Sequence, residues 1–122
     1  MLTIVPADEM TAARCRKAAG KDGECLAMTE NGEWKGFCLY TGKDGRVTVH
    51  TLETDDELLA EGLLRAVLNI ARNRELPLAV CEDDRFPALL SHLGFAKTEE
   101  GAAVDVISFF HPCCGCQKEQ EA

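Results

Sequence analysis

The chain has 122 residues, 46% of them apolar, and carries twenty-one acidic against thirteen basic side chains for a formal net charge of −8. That length suits one domain with little room for a second core, and the mixture of apolar and charged residues excludes a disordered chain. The negative balance argues against a basic face for nucleic acid or anionic lipid. With no basic-then-apolar leader and no run of about 18 apolar residues, a cytoplasmic protein outside the membrane is expected.

Taken in order, Leu2 to Val5 is a short apolar strand ended by Pro6, and Asp8 caps a helix that Gly20 terminates. Glu24 to Glu30 and Trp34 to Thr41 read as strands joined at Asn31-Gly32, a pair that supplies the positive φ angles of a tight hairpin. A second turn at Lys43-Asp44-Gly45 leads to a strand from Arg46 to Leu52. There Val47, Val49 and Thr51 alternate with Thr48, His50 and Leu52.

Thr54 stands three residues before Glu57, the spacing of a capping box, and predicts a long helix from about Glu57 to Glu75. Its apolar stripe is Leu59, Leu63, Ala66, Val67 and Ile70, flanked by Leu64 and Ala71, with Glu61, Arg65, Asn69 and Arg72 facing away. After Pro77, Leu78 to Cys81 is a strand parallel to Arg46–Leu52, since the intervening helix is long enough for a right-handed crossover. Asp83 or Asp84 caps a short helix through about Leu93, which Gly94 ends. Phe95 to Thr98 and Ala103 to Phe110 read as two last strands. The expected fold class is α/β (α+β): a mixed, mostly antiparallel sheet with one βαβ crossover and helices on its faces. It fills residues 1–111 and leaves a cysteine-rich tail at 112–122.

Of seven cysteines, Cys15, Cys25, Cys38 and Cys81 stand singly among apolar neighbours, as reduced, buried cysteines do. In the tail, Cys113 and Cys116 have the spacing that lets two thiolates reach one metal, and His111 offers a nitrogen. A closed zinc site needs a fourth ligand, from Cys114 or a neighbouring chain. The alternative is an oxidisable terminus.

The order β, α, β, β, β, long α, β, short α, β, β resembles the GNAT superfamily of acyl-CoA-dependent N-acetyltransferases. The resemblance rests on Glu30-Asn31-Gly32-Glu33-Trp34-Lys35-Gly36-Phe37, on Gly62-Leu63-Leu64-Arg65-Ala66-Val67-Leu68-Asn69-Ile70-Ala71-Arg72, and on Leu89-Leu90-Ser91-His92-Leu93-Gly94-Phe95. It implies acetyl transfer from acetyl-CoA to a small amine, with the pantetheine arm on a strand-edge backbone. It also implies a pyrophosphate site at the start of the main helix, where Gln/Arg-x-x-Gly-x-Gly/Ala is usual.

Those motif positions are Asp55, Leu58 and Ala60, of which Ala60 alone matches; Leu58, Ala60 and Gly62 are the corresponding cofactor-binding candidates. Leu58 stands where glycine permits close approach, and Asp55, Asp56, Glu57 and Glu61 would each oppose a phosphate by about 1 kcal/mol at 4 Å in water. The family's general-acid tyrosine position is Leu90, and Tyr40, the only tyrosine, lies elsewhere. His50 and Glu53 are the candidate general bases, and Glu82 and Asp83 end the neighbouring strand. The alternative is a non-catalytic binding module on the same fold, with the tail as a thiol or metal handle.

Overall fold

The computed structural model describes residues 1–110. Its elements are β1 (Leu2–Pro6), α1 (Glu9–Ala19), β2 (Glu24–Glu30), β3 (Glu33–Lys43), β4 (Arg46–Glu53), α2 (Glu57–Asn73), β5 (Leu78–Cys81), α3 (Pro87–His92), β6 (Ala96–Thr98), β7 (Gly101–Asp105) and α4 (Val106–Phe110). The strands form one seven-stranded sheet in the order β1-β2-β3-β4-β5-β7-β6. Neighbours are antiparallel except β4 and β5, which are parallel and joined through α2. The predicted class and the single βαβ crossover are both present. His111, Cys113, Cys116 and the rest of the tail lie outside the described residues.

Local chemistry explains the chain reversals. Asn31 and Gly32 (φ 54° and 84°) and Asp44 and Gly45 (φ 56° and 76°) turn the two hairpins through left-handed backbone that other residues adopt at a cost. The Asp8 carboxylate accepts from Thr11 N–H at 2.7 Å, and Gly20 closes α1 at φ 69°. At Gly36 the chain needs space: a Cβ there would lie 2.2 Å from the Glu53 carbonyl oxygen, so only glycine lets β3 pass this close to the end of β4.

Two cores lie on opposite faces of the sheet. On one, Ala60, Leu63, Leu64, Val67, Leu68 and Ala71 of α2 cover Met28, Cys38, Tyr40, Val47, Val49 and Leu52. Burying each leucine contributes about 1.5–3 kcal/mol, so this face supplies most of the stability. On the other, Ala12 and Cys15 of α1 meet Cys25, Phe37 and Leu39. Because α1 packs on β2 and β3, it leaves this face of β4 less covered, and Thr48 and His50 stay partly exposed. The four central cysteines are buried, free thiols, as expected.

Four expectations are corrected. Thr54 and Glu57 form no capping box: Thr54 Oγ1 donates to the Lys35 carbonyl (3.2 Å), and Asp56 caps α2 by accepting from Leu58 N–H (2.7 Å). Of the expected stripe on α2, Leu63 and Val67 are buried, together with Ala60, Leu64, Leu68 and Ala71, while Leu59, Ala66 and Ile70 lie on its margin. Neither Asp83 nor Asp84 caps α3, which starts at Pro87 after an uncapped Phe86; proline at the first turn loses no helical hydrogen bond. The last strand stops at Asp105, whose carboxylate accepts from Ser108 N–H (2.9 Å), while Val106 N–H donates to the Pro77 carbonyl (2.9 Å). These two bonds turn residues 106–110 into a helical turn. Phe109 and Phe110 thereby lie beneath the Arg65 and Arg72 guanidinium groups of α2, 5.6 and 4.4 Å from the ring centres.

Candidate active site in the cleft between the parallel strands

The pairing of β3 with β4 steps from Tyr40↔Val49 to Leu39↔Thr51, so His50 is an extra residue, a β-bulge. Beyond it the alternation is reset, and Leu52 joins Val47 and Val49 in the α2 core where strict alternation had placed it on the other face. The spacing of the apolar residues, two and then three, is the signal that would have revealed the bulge.

His50 is gripped at both ring nitrogens. Nδ1 lies 2.8 Å from Glu82 Oε1 and Nε2 lies 3.0 Å from Thr41 Oγ1. A carboxylate can only accept, which assigns the proton to Nδ1; in the neutral ring, Nε2 then accepts from the Thr41 hydroxyl. The arrangement is a base with a carboxylate orienting it and a hydroxyl on its lone pair. Thr41 was not singled out in the sequence because nothing local marks it. It reaches His50 only through the register of β3 on β4.

Parallel pairing of β4 with β5 runs from Arg46↔Leu78 to Val49↔Cys81, and Glu82 N–H donates to the Val49 carbonyl at 2.8 Å. After that the strands part, leaving the Leu52 peptide without a strand partner on its β5 side. Side chains serve it instead: Leu52 N–H donates to Asp83 Oδ2 (2.9 Å), and the Arg85 guanidinium donates to the Leu52 carbonyl. Arg85 also faces Glu53 (3.8 Å) and Asp83 (3.6 Å) and sits against the Phe86 ring. Of the two predicted bases, His50 is therefore oriented by Glu82, while Glu53 is ion-paired to Arg85.

The three cofactor-binding candidates fall in different surroundings. Leu58 is exposed, Ala60 is fully buried in the core, and Gly62 lies against β1, where a Cβ would come 3.3 Å from Ile4. None of them lines the 470 Å³ cavity between α3 and the β5–β7 pair, which Glu82 shares with Asp84, Pro87, Leu90, Phe95 and Lys97 among others. Cys81 also borders it. Burial pushes that thiol up to about 12, so it stays protonated near neutral pH and is no nucleophile. Tyr40 is buried on β3; burial and the Glu24 carboxylate push its phenol up to about 12. No helix of the described residues is long and apolar enough to cross a membrane, and among them no cluster of three or more His, Cys, Asp and Glu is arranged to hold a metal.

This architecture has counterparts among solved structures. The ribosomal-protein-S18-alanine N-acetyltransferase of Escherichia coli aligns over 87% of this chain and 94% of its own, at a TM-score of 0.67 and 16% identity. The GNAT family N-acetyltransferase YhbS of E. coli, in complex with CoA, aligns over 88% and 83% (TM-score 0.65, 16% identity). A GNAT family acetyltransferase of Elizabethkingia anophelis with acetyl-CoA bound aligns over 80% and 78% (TM-score 0.63, 17% identity). The chain has the GNAT fold. No family model and no curated protein matches its sequence.

Near the cofactor-binding candidates, two sets of backbone groups are engaged within the chain itself. At the start of α2 the Leu58 N–H that would face a phosphate is already held by Asp56, with Asp55 and Glu57 beside it. At the β4 edge, the N–H and carbonyl that would meet a pantetheine amide are held by Asp83 and Arg85.

Proposed function

We propose that this GNAT-fold domain acylates a small amine, with His50 as proton acceptor and Glu82 as the carboxylate that orients it. The observation that carries this reading is the double grip on His50 at the bulge. An ammonium group has no lone pair to attack with, so the protein must take a proton from it. Nε2 of His50 is the acceptor, reached directly by an amine that displaces Thr41 or through the Thr41 hydroxyl. Glu82 fixes the tautomer that leaves Nε2 without a proton and stabilises the imidazolium that forms. Acidic Glu82 and Asp84 at the cavity favour a cationic acceptor. The acyl donor is a thioester whose carrier is not held through a pyrophosphate on α2.

The experiment is thiol release from acetyl-CoA and from S-acetylpantetheine with a panel of primary amines. Wild-type protein should release thiol with both donors and with similar KM, since the nucleotide half finds no cradle. His50→Gln should lower the rate about 10²–10⁴-fold. A much lower KM for acetyl-CoA would show that the cradle works after all.

A second reading, a non-catalytic binding module, is favoured by the self-engagement of Leu52 and Leu58; it predicts neither thiol release nor heat on titrating either thioester to millimolar concentration. In that reading Cys113, Cys116 and His111 form a thiol or metal handle. Metal analysis of the full chain purified under reducing conditions tests this, and metal-free protein would remove the metal role.

A further inference from the structure

We infer that the segment following β5 is a gate: Asp83 and Arg85 hold the Leu52 peptide in the place of a ligand amide and must release it before the arm of an acyl donor can bind. The inference rests on the acyl-transfer reading above and names how that site is regulated.

The Leu52 N–H and carbonyl form an adjacent donor and acceptor on one strand edge, the pattern that an extended ligand carrying a secondary amide complements. Buried without partners, each would be costly, so something must occupy them. The occupants are one carboxylate and one guanidinium from a segment that begins where the backbone ladder ends, at Glu82 N–H to the Val49 carbonyl.

The exchange is close to balanced. When Arg85 leaves the Leu52 carbonyl it still has Glu53, Asp83 and the Phe86 ring within reach. When Asp83 leaves the Leu52 N–H, its other oxygen still accepts from Arg85 N–H at 3.1 Å. Arg85 is about half exposed and solvates readily as it swings. An incoming amide restores to Leu52 the two hydrogen bonds that the gate gives up. Opening therefore trades like for like, in contrast to separating Val49 from Cys81, which would break the sheet itself.

The test is calorimetric titration of S-acetylpantetheine into wild type, Arg85→Ala, Asp83→Ala and Asp83→Asn, with exchange of the Leu52 amide hydrogen followed by NMR. The Leu52 amide should be protected in wild type and exposed in Asp83→Ala. Affinity should rise about tenfold or more in Arg85→Ala and Asp83→Ala, and by less in Asp83→Asn, which keeps an acceptor. Arg85→Ala serves where Asp83→Ala folds poorly, because it removes a solvated side chain. Equal or weaker binding by folded variants overturns the gate alone. Absence of binding in every protein, wild type included, overturns the acyl-donor reading and the gate with it.

Discussion

The two halves of β4 solve one problem in different ways. From Arg46 to Val49 its backbone is paired on both sides, with β3 and β5. From Thr51 to Glu53 it is paired with β3 alone, and the other edge is satisfied by the side chains of Asp83 and Arg85. A ladder of backbone bonds opens only with the fold, whereas a side chain rotates away on its own. The boundary between a closed and an exchangeable edge falls at one residue, His50, where the candidate proton acceptor sits.

The largest effect should come from the core that both halves share. Leu52→Ala removes a fully buried side chain and should cost about 2–5 kcal/mol in denaturant unfolding, much as Leu63→Ala would. A loss under 1 kcal/mol would mean that the far half of β4 is only loosely anchored.

Next in size is Asp83→Ala. Leaving Leu52 N–H without its acceptor should lower stability by about 1 kcal/mol in a thermal melt, held down by water that enters the opened edge. A loss above about 3 kcal/mol would make Asp83 structural in the way the closed half is.

The smallest lies on the flank of the closed half, where Glu24, Tyr40 and Val49 are in line across three strands. Glu24 accepts from Arg74 at 2.7 and 2.8 Å, and that guanidinium, despite some desolvation, lowers the Glu24 carboxyl below its ordinary range. The folded state thus binds this proton less readily than the unfolded one. The stabilisation is complete above the unfolded carboxylate range near 4.3 and is lost as pH falls through the depressed folded value. Because both side chains are about half exposed, Glu24→Gln should cost only about 0.5–1 kcal/mol at pH 7, and less in high salt. Unfolding curves of the variant and wild type should converge at low pH.

The sequence made the fold legible because its signals are local. Asn31-Gly32, Asp8 with Gly20, the apolar period of α2 and Pro77 each act within a few residues of themselves. The last segment is ambiguous in sequence because Phe109 and Phe110 suit a strand as well as a helix. The deciding bonds, Val106 to Pro77 and Asp105 to Ser108, lie partly outside the segment.

The candidate site was half legible. His50, Glu53, Glu82 and Asp83 are conspicuous as residue types. Their pairing was not, since Glu82 lies 32 positions from His50 and Thr41 lies nine away on another strand. Arg85 gave no local sign of its role, which exists only because β4 and β5 diverge.

The bulge also makes the site a matter of counting. Remove His50 from Val47-Thr48-Val49-His50-Thr51-Leu52 and the remaining letters alternate without interruption, with Val47, Val49 and Leu52 on one face and Thr48 and Thr51 on the other. The core would need no new residue and the hairpin no new turn. A plain strand and a strand bearing a proton acceptor are thus separated by one codon, so a lineage could gain or discard the acceptor in a single step while its fold stayed in place.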